Sequence, residues 1–219
     1  MNMTPVYITD TSVLFWLLQG FGGFGGDRKE EKVAQKAEQL FSGKDRIVIP
    51  MHAFLEISEQ FFQICIDVGN YEMWYRTRKT VFQNRLLHHL TDSSNRVQLL
   101  RESTESYYAA NRIMCRIHDV YLKAIVNNKK LMDNSRCRRN PKFLDGMDAA
   151  ILEEAIWYAL QNKQCPCVFV TTDVSFSIAV NNLRDAFPYN ESYAPQNLSC
   201  KLLWRVRPQR ASTTLKLMS

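Results

Sequence analysis

VYITDTSVLFWLL, residues 6–18, is the stretch on which the fold turns. Val6 to Thr9 are β-branched or aromatic, few and apolar, and the run stops at Asp10, so it reads as a short buried strand. Thr11 and Ser12 are residue types that cap helices, and the apolar residues after them predict a helix to Leu18. A short apolar strand feeding a helix is the first half of a βαβ unit.

The same alternation recurs outward from this stretch. GFGGFGG at 20–26 holds five of the eight glycines and reads as a flexible loop, because the Lys-Ser/Thr pair of a P-loop is missing. Residues 28–42 predict a helix with Val33, Ala34, Ala37, Leu40 and Phe41 on one face. RIVIP at 46–50 is a second buried strand, and Pro50 suits the start of the helix expected over 51–66. An amphipathic stretch at 71–90, a third strand VQLL at 97–100 and a long helix over 104–126 follow. Residues 127–142 have almost no apolar content and read as a loop. A helix over 144–162, a fourth strand VFVT at 168–171, a short helix over 174–183 and a fifth strand KLLWRV at 201–206 complete the series. The expected fold is α/β: a three-layer α/β/α sandwich around a parallel sheet of four to five strands, with an extra helical region at about 66–95. Residues 1–206 form a single domain on this reading, and 207–219 a basic tail that reads equally well as a disordered end.

Composition narrows the class. A chain of 219 residues that is 46% hydrophobic and 23% charged suits one globular domain, which excludes disordered, collagenous and coiled-coil classes. No stretch approaches the ~20 apolar residues of a membrane span. Lys and Arg are absent before residue 28 and Asp10 sits at the edge of the apolar segment, which argues against a signal peptide. The six cysteines are too sparse for a disulfide scaffold, and Cys165-Pro166-Cys167 lacks zinc-ribbon spacing. The expectation is an intracellular protein, cytoplasmic or nuclear, with reduced structural thiols and no membrane partner.

In an open parallel sheet the functional crevice lies at the carboxyl ends of the strands. Asp10 ends the first strand, Asp173 follows the fourth, Glu56 lies in the first turns after the second, and Asp145 and Asp148 open the helix leading into the fourth. Singly, each has an ordinary reading as a helix cap, a dipole partner or a surface residue. Together they converge on one edge, where clustered carboxylates raise one another's pKa unless something neutralises them. A hard divalent cation, Mg²⁺ or Mn²⁺, is the usual remedy.

Four motifs carry a family resemblance: VYITDTS with Asp10, IPMHAFLEIS with Glu56, MDAAILEEA with Asp148 and VFVTTDVSF with Asp173. In order and spacing they resemble the PIN-domain nucleases across nearly the whole chain. About ninety residues separate Glu56 from the third motif, more than minimal family members carry. The resemblance implies a metal-dependent endoribonuclease that hydrolyses RNA to 5′-phosphate and 3′-hydroxyl ends. It makes Asp10, Glu56, Asp148 and Asp173 the catalytic metal ligands, with Asp145 an auxiliary or the alternative third ligand. Ser12, Thr171 and Thr172 are then candidates for orienting ligands or water. A homodimer and an inhibitory or complex-forming partner protein are also compatible with it. The competing readings are a non-catalytic PIN-like scaffold for RNA or protein, a structure-specific DNA nuclease, and an aspartyl phosphatase. The last is disfavoured because Ser12 stands where a second Asp is expected.

The loop at 127–142 carries Lys129, Lys130, Arg136, Arg138, Arg139 and Lys142 against the single acid Asp133. Entering the helix of Asp145 and Asp148, it either positions RNA phosphates or is simply solvated. The segment 201–219 adds five cations and no acid, so the net +6 divides into two basic segments and an acidic body. Tyr71, Trp74 and Tyr75 among Arg76, Arg78 and Lys79 read as core aromatics before base-stacking ones. His52 stands four residues before Glu56 and so shares its helix face.

Overall fold

Burial on both faces is what a parallel sheet demands of its central strands, and β1 (Val6–Thr9) and β4 (Cys167–Thr171) meet it with every residue buried. The computed structural model describes residues 4–19, 28–63, 71–92, 94–100, 144–186 and 194–203. The glycine loop at 20–26, the helix expected over 104–126, the basic loop and the tail at 207–219 lie outside the described residues.

β2 (Arg46–Ile49), β3 (Val97–Leu99) and β5 (Leu198–Leu202) complete a five-stranded sheet in the order β3-β2-β1-β4-β5, parallel throughout. α1 (Thr11–Gln19) and α2 (Arg28–Ser42) connect β1 to β2. α3 (Met51–Gln63), α4 (Tyr71–Phe82), a π-helical turn (Gln83–Leu87) and α5 (His88–Thr91) lie between β2 and β3. α6 (Gly146–Gln161) precedes β4, and α7 (Val174–Asn181) and α8 (Leu183–Ala186) lead to β5. The chain steps from β1 through β2 to β3 in one direction and from β4 to β5 in the other. With right-handed crossovers, connections made in opposite directions fall on opposite faces. This is an α/β fold whose parallel sheet is flanked by helices, as a three-layer α/β/α arrangement requires.

The core follows from the sequence pattern. Ile8, Ile47, Ile49 and Phe169 from the strands meet Leu14, Phe41 and Ile151 from the helices, all fully buried. Each such side chain removed from water stabilises by about 2 kcal/mol. The α2 stripe is confirmed, with Ala34, Ala37, Leu40 and Phe41 buried and Val33 half-buried. Cys165, Cys167 and Cys200 are free thiols, and burial pushes Cys167 up to about 11 and Cys200 to about 12, which fits a packing role.

One strand boundary differs from expectation. The fifth strand begins at Leu198 rather than Lys201, because an edge strand alternates: Leu198, Cys200 and Leu202 are shielded while Ser199 and Lys201 face water. An apolar run was therefore the wrong signal for it. The stretch expected to be helical over 71–90 is helical from Tyr71 to Thr91, with one π turn at Gln83–Leu87, after which none of His88–Thr91 is buried. Within it Tyr75 is 39% exposed rather than core, while Arg78 is buried, donating to the Phe61 carbonyl at 2.7 Å and lying over the Phe61 ring.

Candidate functional site

The order of strands reverses between β1 and β4, and at such a switch point the crevice opens beyond the carboxyl ends of the two strands. Asp10 stands there. Its main-chain N–H reaches the Val170 carbonyl at 3.3 Å, extending the β1–β4 pairing by one residue, and its side chain is buried.

Both carboxylate oxygens of Asp10 are engaged. The Ser12 hydroxyl donates to Oδ1 at 2.8 Å and Oδ2 at 2.9 Å, the Val13 N–H to Oδ1 at 3.1 Å, and the Thr171 hydroxyl to Oδ2 at 2.5 Å. The Val13 bond makes Asp10 the cap of α1. Burial pushes the Asp10 carboxyl up to about 6, against the pull of these three donors, and the Asp173 charge adds to the rise.

The other expected residues fall into three groups. Thr171 also accepts the Asp173 N–H at 2.8 Å, and the Thr172 N–H donates to Ser12 Oγ at 2.9 Å, so Thr172 enters through its main chain. Asp173 in turn caps α7 by accepting from the Ser175 N–H at 2.7 Å. Asp10, Ser12, Thr171, Thr172 and Asp173 thus form one hydrogen-bonded set across the ends of β1 and β4.

Glu56 stands beside it on α3, held by Thr11, the chain neighbour of Asp10: the Thr11 hydroxyl donates to Oε2 at 2.5 Å, while Gln60 donates to Oε1 at 2.6 Å. Asp145 and Asp148 form a separate capping box on α6. Exposed Asp145 accepts from the Met147 and Asp148 N–H groups at 3.0 and 2.9 Å, and buried Asp148 returns Oδ2 to the Asp145 N–H at 3.3 Å. Lys129, Lys130, Arg136, Arg138, Arg139 and Lys142 lie outside the described residues.

The donor chemistry fits a hard divalent cation, since every ligand candidate is a carboxylate or hydroxyl oxygen. The raised Asp10 carboxyl fits as well, because a cation beside it would favour the ionised form. The spacing is less complete: among the described residues, no three His, Cys, Asp or Glu side chains gather closely enough to hold a metal ion. Asp10 already receives four contacts, about the full acceptor capacity of a carboxylate. A cation would have to displace at least one of them, and Ser12, which spans both oxygens, is the donor whose rotation frees the most.

Three participants escaped the reading of the sequence. Thr11 signalled only a helix cap, yet its hydroxyl holds Glu56. Gln60 had no signal beyond standing four residues after Glu56. The third is Glu154, buried and 3.2 Å from His52 Nδ1; its one signal was a pair of acids inside the apolar run AAILEEAIWYAL. Comparison of the chain with protein-family models, curated proteins and solved structures returns no match.

Proposed function

We propose that the chain is a metal-dependent ribonuclease of the PIN-like kind, hydrolysing RNA phosphodiester bonds endonucleolytically to 5′-phosphate and 3′-hydroxyl ends. The observation that carries this reading is the buried Asp10 carboxylate at the switch point between β1 and β4, held by Ser12, Thr171 and the Val13 N–H beside the charge of Asp173.

On this reading Asp10, Glu56, Asp148 and Asp173 hold one or two Mg²⁺ or Mn²⁺ ions, with Asp145 beside them. Bound there, the cation supplies an acidified water and neutralises charge on the phosphate. Each protein group has a part that follows from its contacts. Thr171 and the Val13 N–H hold Asp10 in place while Ser12 yields its contacts to the cation. Thr11 and Gln60 fix both oxygens of Glu56, so that it needs little ordering when a cation arrives. Before a cation arrives, the Thr172 N–H holds Ser12 Oγ in place. The basic loop would meet the phosphates on either side of the scissile bond.

The test is cleavage of single-stranded RNA, structured RNA and flap DNA with Mg²⁺ or Mn²⁺. RNA cleavage should disappear with EDTA and fall about a hundredfold or more in Asp10→Asn. Cleavage that survives both would place the chemistry elsewhere, and a preference for flap DNA would change the substrate class.

A second reading is a PIN-like scaffold that holds RNA or protein without cutting. It is favoured by Asp10, Asp145 and Asp173 each spending oxygens on a helix cap. Titration calorimetry with Mn²⁺ separates the two: a nuclease takes up the ion at this edge, while RNA binding with no Mn²⁺ uptake leaves the scaffold.

A further inference from the structure

α3 starts at Met51 with no acidic residue in its first turn, and Pro50 before it has no side chain able to accept a hydrogen bond. The leading N–H groups of a helix have no partners of their own. Here one is supplied from another part of the chain. Glu154 Oε2 accepts the His52 main-chain N–H at 3.2 Å, across 102 positions of sequence, and Glu154 Oε1 lies 3.2 Å from His52 Nδ1. His52 is 5% exposed and Glu154 2%.

A carboxylate at a helix N-terminus is favoured by the aligned peptide dipoles, and more strongly where water is excluded. The two helices pack against each other, so this contact is part of their interface. Each helix also carries a ligand candidate: Glu56 is one turn beyond His52 on α3, and Asp148 is on the same helix as Glu154.

We infer that Glu154 is a positioning residue: by capping α3 from α6, it sets the distance at which Glu56 and Asp148 face a shared divalent cation. The inference rests on the metal-dependent reading above. Glu154 itself touches neither cation nor substrate. Its part is to stop α3 from sliding along α6, a shift that would carry Glu56 away from the edge while leaving the sheet intact.

The test is Mn²⁺ titration calorimetry on the full chain, with hydrogen exchange of the metal-free protein alongside. Glu154→Ala removes the cap and Glu154→Asp withdraws it by one methylene; both should weaken Mn²⁺ binding about tenfold or more. Their His52 amide should exchange faster while β4 stays protected. Glu154→Gln keeps an oxygen for the His52 N–H and should stay within about threefold of the parent chain. Leu183→Ala, a core truncation on α8, should lower the melting temperature without moving Mn²⁺ affinity, so that weaker Mn²⁺ binding in the Glu154 variants is separated from a general loss of stability. Folded Glu154→Ala or Glu154→Asp protein binding Mn²⁺ as tightly as the parent would overturn the positioning role and leave the metal site standing. A parent chain that takes up no Mn²⁺ would overturn the metal-dependent reading, and the positioning role with it.

Discussion

At Asp10 burial and hydrogen bonding pull in opposite directions, and burial wins, since the carboxyl rises from an ordinary 3.8 to about 6. The folded protein therefore holds this proton more tightly than the unfolded chain does. The stability that Asp10 contributes is whole below pH 3.8 and is lost as pH rises through about 6, a swing on the order of 3 kcal/mol. Chemical denaturation of the metal-free protein and of Asp10→Asn between pH 4 and 7 should show the difference moving in favour of the variant by about that amount; a flat difference would mean Asp10 titrates as it does unfolded. Thr171→Val leaves Asp10 Oδ2 and the Asp173 N–H each short of a partner, and should cost about 1–3 kcal/mol by the same measurement. Asp10, Ser12, Thr171 and Asp173 were legible in the sequence because the carboxyl ends of the strands are where an open parallel sheet places its functional side chains. Glu154 was not, since a glutamate in a helix ordinarily reads as solvated, and only packing between α3 and α6 puts it out of water.

Among the elements, α6 is held at both ends by side chains. Asp145 and Asp148 close its start, and at its end the Asn197 amide donates to the carbonyls of Ala159, Asn162 and Cys165 at 2.9, 3.0 and 2.9 Å. Those carbonyls belong to the last turn of α6 and the chain entering β4, so Asn197 fixes where β4 begins relative to β5. Asn197→Ala should cost about 1–3 kcal/mol and increase hydrogen exchange at the α6 C-terminus before the sheet core. Helix α2 was readable residue by residue, because its apolar stripe repeats at the helical period over fifteen residues. The π turn after Phe82 was not, because it keeps helical propensity and changes only the hydrogen-bond step. Strand β5 was displaced in the reading because its burial depends on which neighbour covers it, and at a sheet edge alternation replaces a continuous apolar run.

For the whole molecule, charge is unevenly divided. The net +6 arises from two basic segments on an acidic body, and no helix among the described residues is long and apolar enough to cross a membrane. Neutralising Arg136, Arg138 and Arg139 together should weaken RNA binding and flatten its dependence on salt while leaving Mn²⁺ affinity unchanged. Binding measured from low to high salt checks this, and an unchanged slope would return the loop to a solvated connection. By itself the sequence determined the fold class, since short apolar strands alternating with amphipathic helices can bury their faces only in a layered parallel arrangement. It also determined which carboxylates stand at strand exits. The strand order β3-β2-β1-β4-β5 was decided only by tertiary structure, and with it the switch point between β1 and β4 and the capping of α3 by Glu154. Local propensity sets what each segment becomes, but which segments touch depends on contacts between residues as far apart as His52 and Glu154, and no periodicity records those.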